Sequence, residues 1–329
     1  MRIETSAPTR IDLAGGTLDI WPLYLFHPGA QTINVAIDLR ASATIETRSD
    51  DRIVMHSVDT GVTVEADHWR ELRARRDLRL LSLLAYFFHA RGITLTTTCA
   101  SPAGAGIAGS SALNIAVCAA LAQWSGTHYE AEALLRVALN VEAQAIGVPT
   151  GLQDYRPALY GGLAALELGT NDIVRIPLSA DAAELERRLV LCYTGQPRDS
   201  GTNNWDIMKR HIDGDRHVFD CFEAIRDTAV TMRGAIDSND WDALGRAIGN
   251  EWEHRKRLAP GVSTPAIDTL IASGIRAGAS AAKVCGAGGG GCLFCYGPPE
   301  RQDAIREALV AGGARLLDFR LDQQGLTYG

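Results

Sequence analysis

Ser101 to Leu113 reads S-P-A-G-A-G-I-A-G-S-S-A-L: three glycines in a short run, two serines, then apolar residues with no breaker until Gly126. Before it, Ile93, Leu95, Thr97 and Cys99 alternate with Thr94, Thr96 and Thr98, which predicts a strand; after it, Asn114 to Trp124 predicts a helix. A glycine loop thus feeds a helix N-terminus. The first turn of a helix leaves backbone N–H groups unpaired, and its positive dipole end attracts an anion that glycines allow close to the backbone. The anion expected is a phosphate, with Ser110 and Ser111 beside it.

Several nucleotide loops share this vocabulary. Gly104, Gly106 and Gly109 satisfy G-x-G-x-x-G, the dinucleotide fingerprint. That loop, however, normally follows a fold's first strand, whereas about a hundred residues with strand patterning precede it here, and Pro102 and the serine pair have no part in it. A Walker loop needs lysine where Ser110 stands, and no V-A-I-K strand makes this a protein-kinase loop. A glycine turn that only packs a helix tightly on a sheet is the reading the loop alone leaves open.

Outward from the loop, more of the chain joins in. P-A-G-A-G-I-A-G-S-S-A resembles the phosphate loop of the GHMP kinases, the superfamily of galactokinase, homoserine kinase, mevalonate kinase and phosphomevalonate kinase. The resemblance continues in A-P-T-R-I-D-L-A-G-G-T-L-D (Ala7 to Asp19), in G-L-Q-D-Y-x-x-A-L-Y-G-G (Gly151 to Gly162) and in K-V-C-G-A-G-G-G-G (Lys283 to Gly291), in the family's order. The wording is most similar to the sugar-kinase branch of D-glycero-D-manno-heptose-7-phosphate kinase and the fucokinases. Tyr193 to Ser200 and Trp252 to Asp268 also resemble the heptose kinase.

The resemblance implies a two-domain α+β GHMP kinase fold: a ribosomal protein S5 domain 2-like N-terminal domain, placed at residues 1–180, and a ferredoxin-like α/β sandwich at residues 181–329. It also implies ATP and Mg²⁺. Pro102, Gly104, Ala105, Gly106, Ile107, Ala108, Gly109, Ser110 and Ser111 would cradle the phosphates, and Ser110 and Glu142 would hold Mg²⁺. Asp154 would act on the acceptor hydroxyl as base or orienting group. Arg10 falls at the family's basic position, where a guanidinium keeps a nearby carboxylate ionised and stabilises transferring phosphoryl charge. Asp19 falls at the sugar-binding aspartate, with Gly15, Gly16, Arg198 and Gly288 also assigned to the acceptor. Two departures stand out: Ala108 replaces a usual glycine, and Thr17-Leu18 stand where the heptose branch more often has Gly-Thr. Without the resemblance, Glu142 reads as a solvated edge carboxylate, Arg10 as a surface ion pair and Asp19 as a cap.

Composition bounds the answer independently. With 329 residues and 46% hydrophobic content, the chain is long enough for two domains and reads as a globular protein. Its net charge of −7 lacks the basic footprint of a nucleic-acid binder. The N-terminus has no signal-peptide core, and the longest apolar stretch, Leu80 to Phe88, is far short of a membrane span, so the expected location is cytoplasmic. The partner that the resemblance implies is a small sugar or sugar phosphate, and the protein is expected to be a monomer or homodimer. Seven cysteines are scattered, and Cys292 and Cys295 fall in a strand-like run where residues three apart face opposite ways, which argues against a metal or redox pair.

Elsewhere the pattern predicts strands over 2–14, 33–45 and 53–64, the last broken at Gly61, and a helix from Leu80 to Arg91. Thr127 to Glu130 reads as a capping box opening a helix with the stripe Leu134, Ala138, Val141 and Ala145. Two strands (163–168 and 173–178) lead to the boundary. Beyond it come a strand at Leu189 to Tyr193, helical patterns over 205–237 and 241–258, and a short helix after Thr264-Pro265. A strand at 293–296, a helix at 300–311 and a last strand near 316–321 complete the pattern. Trp21, Tyr24 and Trp205 are candidate pocket aromatics, with core packing as the plainer reading. Arg198, Lys209 and Arg210 are the candidate cations for an acceptor phosphate.

Overall fold

The computed structural model of the chain describes residues 1–197 and 200–329, with side chains described outside 200–203. Alternation in the first half produces β1 (Arg2–Ala14), β2 (Gln31–Thr47), β3 (Ile53–Ser57) and β4 (Val62–Ala66). Helix α1 (Arg79–Phe87) and strand β5 (Ile93–Cys99) follow. The chain then forms α2 (Gly109–Ser125), α3 (Ala131–Ile146), α4 (Tyr155–Tyr160), β6 (Leu163–Leu168) and β7 (Ile173–Pro177). Strand β2 is long enough to serve two neighbours besides β1: Gln31 to Val35 pair with β6 and Ala41 to Thr47 with β5. Strands β3 and β5 pair in parallel, whereas β3 and β4 are antiparallel. Helices α1 to α4 cover one face, their apolar stripes closing on Ile3, Ala43, Ile45, Met55 and Leu95.

The second half begins with α5 (Ala182–Arg187) and β8 (Leu189–Tyr193), followed by α6 (Ser200–Ile212), α7 (Arg216–Asp237), α8 (Trp241–Arg255) and α9 (Pro265–Arg276). The last elements are β9 (Ala281–Val284), β10 (Cys292–Tyr296), α10 (Gln302–Ala311), β11 (Arg315–Leu316) and β12 (Thr327–Tyr328). Strands in the order β11-β8-β10-β9 form a second, antiparallel sheet. Its two faces follow the period of two. Leu191 and Phe294 join α7 and α8 against Ile11, Leu13, Ile33 and Val35 of the first sheet, whereas Val190, Leu293 and Cys295 pack with Ile267, Ile305 and Leu309 of α9 and α10. Cys292 and Cys295 accordingly lie in different cores. The C-terminal tail returns to the first sheet, where β12 pairs with β1 and Arg40 donates to Gly325 O at 2.6 Å and to Ser6 Oγ at 2.9 Å.

Several sequence expectations need correction. Helix α2 starts at Gly109, not Asn114, because Ala108 takes a left-handed cap conformation (φ 63°) that turns the chain there. The 205–237 pattern is two helices, broken where Gly214 has φ 86° and Asp215 caps α7. Helix α1 ends at Phe87; beyond it His89 has φ 50° and the Ala90 N–H bonds back to Ala85 O. The capping box does not form, since the Thr127 N–H bonds to Ala122 O and so finishes α2, while Glu130 opens α3 with no side-chain cap. The helix after Pro265 is 12 residues long, and β9, which ends on Lys283 and Val284 at the start of the K-V-C-G motif, is too short to show a period. The expected strand at 316–321 is reduced to β11 and an isolated bridge between Leu321 and Ile37.

Candidate active site

Between β5 and α2 the loop winds through left-handed residues at Gly104 (φ 67°), Gly106 (φ 79°) and Ala108. Glycine costs nothing there, whereas alanine costs about 1 kcal/mol. Gly109 packs closely as well, since a Cβ there would meet Ser101 Oγ at 2.3 Å and displace that hydroxyl. The first-turn N–H groups of α2 have no intrahelical acceptors, and Ser110 lies in that turn. They face a cleft of about 350 Å³ lined by the loop together with Ser57, Thr60, Glu142, Gly151 and Asp154. The loop's carbonyl side is tied elsewhere: Gly106 O accepts from Arg10 Nη1 at 2.9 Å and Ile107 O from the Arg10 N–H at 3.0 Å. Ile107 itself is core.

Glu142, on α3, is buried, not solvated as its edge position implied, because it collects donors from two neighbouring elements, α2 and α4. It accepts from Ser110 Oγ at 2.7 Å, Ser111 Oγ at 3.1 Å and the Tyr155 hydroxyl at 2.5 Å. Burial pushes its carboxyl up, and the bonds from Tyr155 and Ser110 pull it back only in part. A carboxylate and a serine oxygen in contact beside an anion-binding turn match what a hard cation takes. Among the described residues no group of three or more His, Cys, Asp or Glu could hold a metal by itself.

Asp154 sits at the N-cap of α4 with 29% of its side chain exposed and lines the cleft. Arg10, buried to 1%, reaches it with Nε at 3.0 Å and Nη2 at 2.6 Å. Both contacts fall on Oδ1, leaving Oδ2 clear of the guanidinium. The Arg10 pair is therefore interior, not a surface ion pair. Burial opposes the charge of Arg10, but Asp154 and Asp12 outweigh it and hold the guanidinium protonated.

Asp19 is 1% exposed and lies behind Gly151, where a Cβ would meet its Oδ2 at 2.0 Å. Oδ2 accepts from the Gln153 N–H at 2.8 Å, while Oδ1 is buried without a partner. Burial pushes this carboxyl up to about 6. Gly15 (φ 80°) packs on Gln31 O, and Gly16 O accepts from Arg255 Nη2 at 3.0 Å. Gly288 rests on Val262, away from the cleft lining. Arg198 lies outside the described residues. Lys209 pairs with Asp213 at 2.5 Å, and Arg210 pairs with Asp215 at 2.6 Å, so both are occupied on the surface. Trp21 and Trp205 are exposed, not core, and line an apolar cavity with Phe26, Met208 and His211; Tyr24 packs on the second core.

Sequence reasoning missed a buried charged set behind Arg10: Asp12, Glu251 and Arg255, together with Lys283, which it had read only as part of a glycine motif. The available signal was the spacing of four between Glu251 and Arg255 on an amphipathic helix, which alone reads as a surface pair. The glycine motif does approach the phosphate loop: the Cys292 N–H donates to Ala105 O at 2.6 Å, and a Cβ on Gly291 would meet the same oxygen at 2.5 Å.

A glycine loop opening a helix, a buried Glu142 in contact with Ser110 and Ser111, and the Arg10–Asp154 pair meet around one cleft. The N-terminal domain family of the GHMP kinases matches residues 75–162 and the C-terminal family residues 232–315. The chain belongs to the GHMP kinases, and is an ATP-dependent phosphotransferase with an alcohol group as acceptor. Its relatives include the D-glycero-alpha-D-manno-heptose 7-phosphate kinase of Campylobacter jejuni, 28% identical with 98% of each chain covered. Another is the bifunctional fucokinase/GDP-fucose pyrophosphorylase of Arabidopsis thaliana, 26% identical over 94% of this chain but 31% of that protein. Among solved structures, a D-glycero-D-manno-heptose 1-phosphate kinase from Bacteroides thetaiotaomicron superposes with a TM-score of 0.80 at 23% identity, covering 99% of this chain and 98% of that one. Lactococcus lactis galactokinase complexed with galactose superposes at 0.79 and 17%, covering 100% and 95%. Among the described residues no helix is long and apolar enough to cross a membrane.

Proposed function

We propose that the protein is a Mg²⁺-dependent sugar kinase that transfers the γ-phosphoryl group of ATP to a hydroxyl, the anomeric one, of a sugar or sugar phosphate such as heptose 7-phosphate. The observation carrying this reading is the buried Arg10 guanidinium, which bonds Gly106 O of the glycine loop and Asp154 Oδ1 together. It couples the phosphate-binding loop to the group beside the acceptor. The loop from Pro102 to Ser111 binds the phosphates through its amides and the N-terminus of α2. Ser110 and Glu142 hold Mg²⁺, which screens phosphate charge when bound. Asp154 takes or orients the acceptor proton, Arg10 holds Asp154 in place through Oδ1, and the orphan Oδ1 of Asp19 accepts from a sugar hydroxyl. Gly15 and Gly16 belong with Asp19 to the acceptor side of the site. The division at residues 180 and 181 belongs to the same proposal, as does a cytoplasmic location.

A second reading, on an unphosphorylated sugar in the manner of a fucokinase, is favoured by the engagement of Lys209 and Arg210 with acidic neighbours. A paired assay of free sugars against their terminal phosphates separates the two, with the phosphorylated position read by NMR. Heptose 7-phosphate turnover far above free heptose supports the first reading, and the reverse supports the second. ADP release at background across the whole panel, despite ATP binding, sinks both. Asp154→Asn is expected to lower kcat more than tenfold with the KM for ATP within about twofold; a smaller loss, under roughly 1.4 kcal/mol, removes Asp154 from the reaction.

A further inference from the structure

Behind the cleft, five ionisable side chains with exposures of 0 to 1% alternate in charge from α8 to β1: Arg255, Glu251, Lys283, Asp12 and Arg10. Arg255 donates to Gly16 O at 3.0 Å and from Nε to Glu251 Oε1 at 2.8 Å. The other Glu251 oxygen meets Lys283 Nζ at 2.8 Å. Lys283 lies 3.4 Å from Asp12 Oδ2 and donates to Leu13 O at 3.2 Å. Asp12 Oδ1 accepts from the Gly286 N–H at 2.7 Å and lies 3.6 Å from Arg10 Nη1. Burial pushes Asp12 up, but Lys283 and Arg10 outweigh it and hold it down at about 2. Three cations face two anions, and the unmatched positive charge is met by Asp154 in the cleft.

Buried ion pairs are seldom more stabilising than apolar residues of the same volume, so stability alone does not account for such a chain. Its effect is directional. The guanidinium of Arg10 is shared between Asp12 with Gly106 O on Nη1 and Asp154 on Nε and Nη2. Lys283 and the Gly286 N–H compensate Asp12, so Asp12 seats Arg10 without drawing it off Asp154. We propose that Asp12 and Lys283 are positioning residues for phosphoryl transfer, with Asp12 fixing the Arg10 guanidinium and Lys283 balancing Asp12 so that Arg10 is directed at Asp154. Glu251 and Arg255 hold Lys283 in place. The proposal rests on the reading of Arg10 and Asp154 given above.

The test compares Asp12→Asn, Lys283→Met and the double variant, with Asp154→Asn as control, by kcat, KM for ATP and thermal midpoint. Asparagine keeps an oxygen for the Gly286 N–H, so Asp12→Asn decides the matter should Lys283→Met not fold. Each single variant is expected to lose roughly tenfold or more in kcat, equivalent to about 1.4 kcal/mol, with the KM for ATP within about threefold. The double variant, which removes one charge of each sign, recovers most of that loss. A merely structural role predicts kcat per folded molecule unchanged while the midpoint falls. Folded single variants with wild-type kcat beside an inactive Asp154→Asn would overturn the positioning role and leave the kinase reading intact. An active Asp154→Asn would overturn both, and a folded double variant no faster than the singles would overturn the charge-balance argument.

Discussion

Asp19 lies under Gly151 with one oxygen held by the Gln153 N–H and the other unpartnered, and burial raises its carboxyl from 3.8 to about 6. The folded state therefore binds this proton more tightly than the unfolded chain does. Its contribution to stability is full below about pH 4, is lost as the pH rises through about 6, and stays lost above. A shift of that size is on the order of 2–3 kcal/mol. Asp19→Asn keeps an oxygen for Gln153 and removes the buried charge, so it is expected to raise the thermal midpoint by several degrees at pH 8 and by little at pH 4, while slowing turnover of the acceptor. Thermal scans at the two pH values check this, and an equal shift at both would disprove the linkage.

Among the elements, helix ends are where sequence signals and structure part company most clearly. Thr127 and Glu130 carry the letters of a capping box, yet Thr127 serves the end of α2 and no side chain caps α3. Asp240, by contrast, accepts from the Ala243 N–H at 2.9 Å and caps α8, the helix that carries Glu251 and Arg255. Asp240→Ala is expected to cost about 1 kcal/mol, whereas Thr127→Ala stays within about 0.5 kcal/mol. Chemical denaturation of the two variants distinguishes them; equal losses would mean that the Thr127 side chain caps α3 in solution.

At the scale of the molecule, the segment between β1 and β2 docks onto α6 and α7 through a buried histidine pair. His27 Nδ1 lies 2.5 Å from Glu223 and its Nε2 lies 2.9 Å from His211 Nε2, with Phe219 and Phe222 around them and Arg226 beyond Glu223. Burial lowers both histidines from 6.5, with Glu223 opposing at His27 and His27 adding to the effect at His211. The unfolded chain then binds more protons below pH 6.5, so stability falls as the pH drops through that value, and is full above it. Denaturation from pH 8 to 5.5 is expected to show this decline, with a shallower slope for His211→Phe. An unchanged slope in that variant would remove the pair as its source.

Much of the design is written locally. The glycine loop and the serine pair were legible because a run of glycines suits a chain whose φ is positive or whose Cβ has no room, and a helix follows it directly. The Q-D-Y segment was legible only through its resemblance to a family motif, since the Asp154 side chain caps nothing at the start of α4. The period of two over 33–45 marked β2 for the same reason, since it follows from backbone geometry that neighbours do not alter. Only the tertiary structure decided that Glu142 is buried, that Gly288 turns toward Val262 and that Lys283 pairs with Asp12 across 271 residues of chain. A carboxylate or a lysine looks the same in sequence whether it is solvated or enclosed. Its partner is chosen by how β1, α8 and β9 pack together, and no spacing along the chain encodes that.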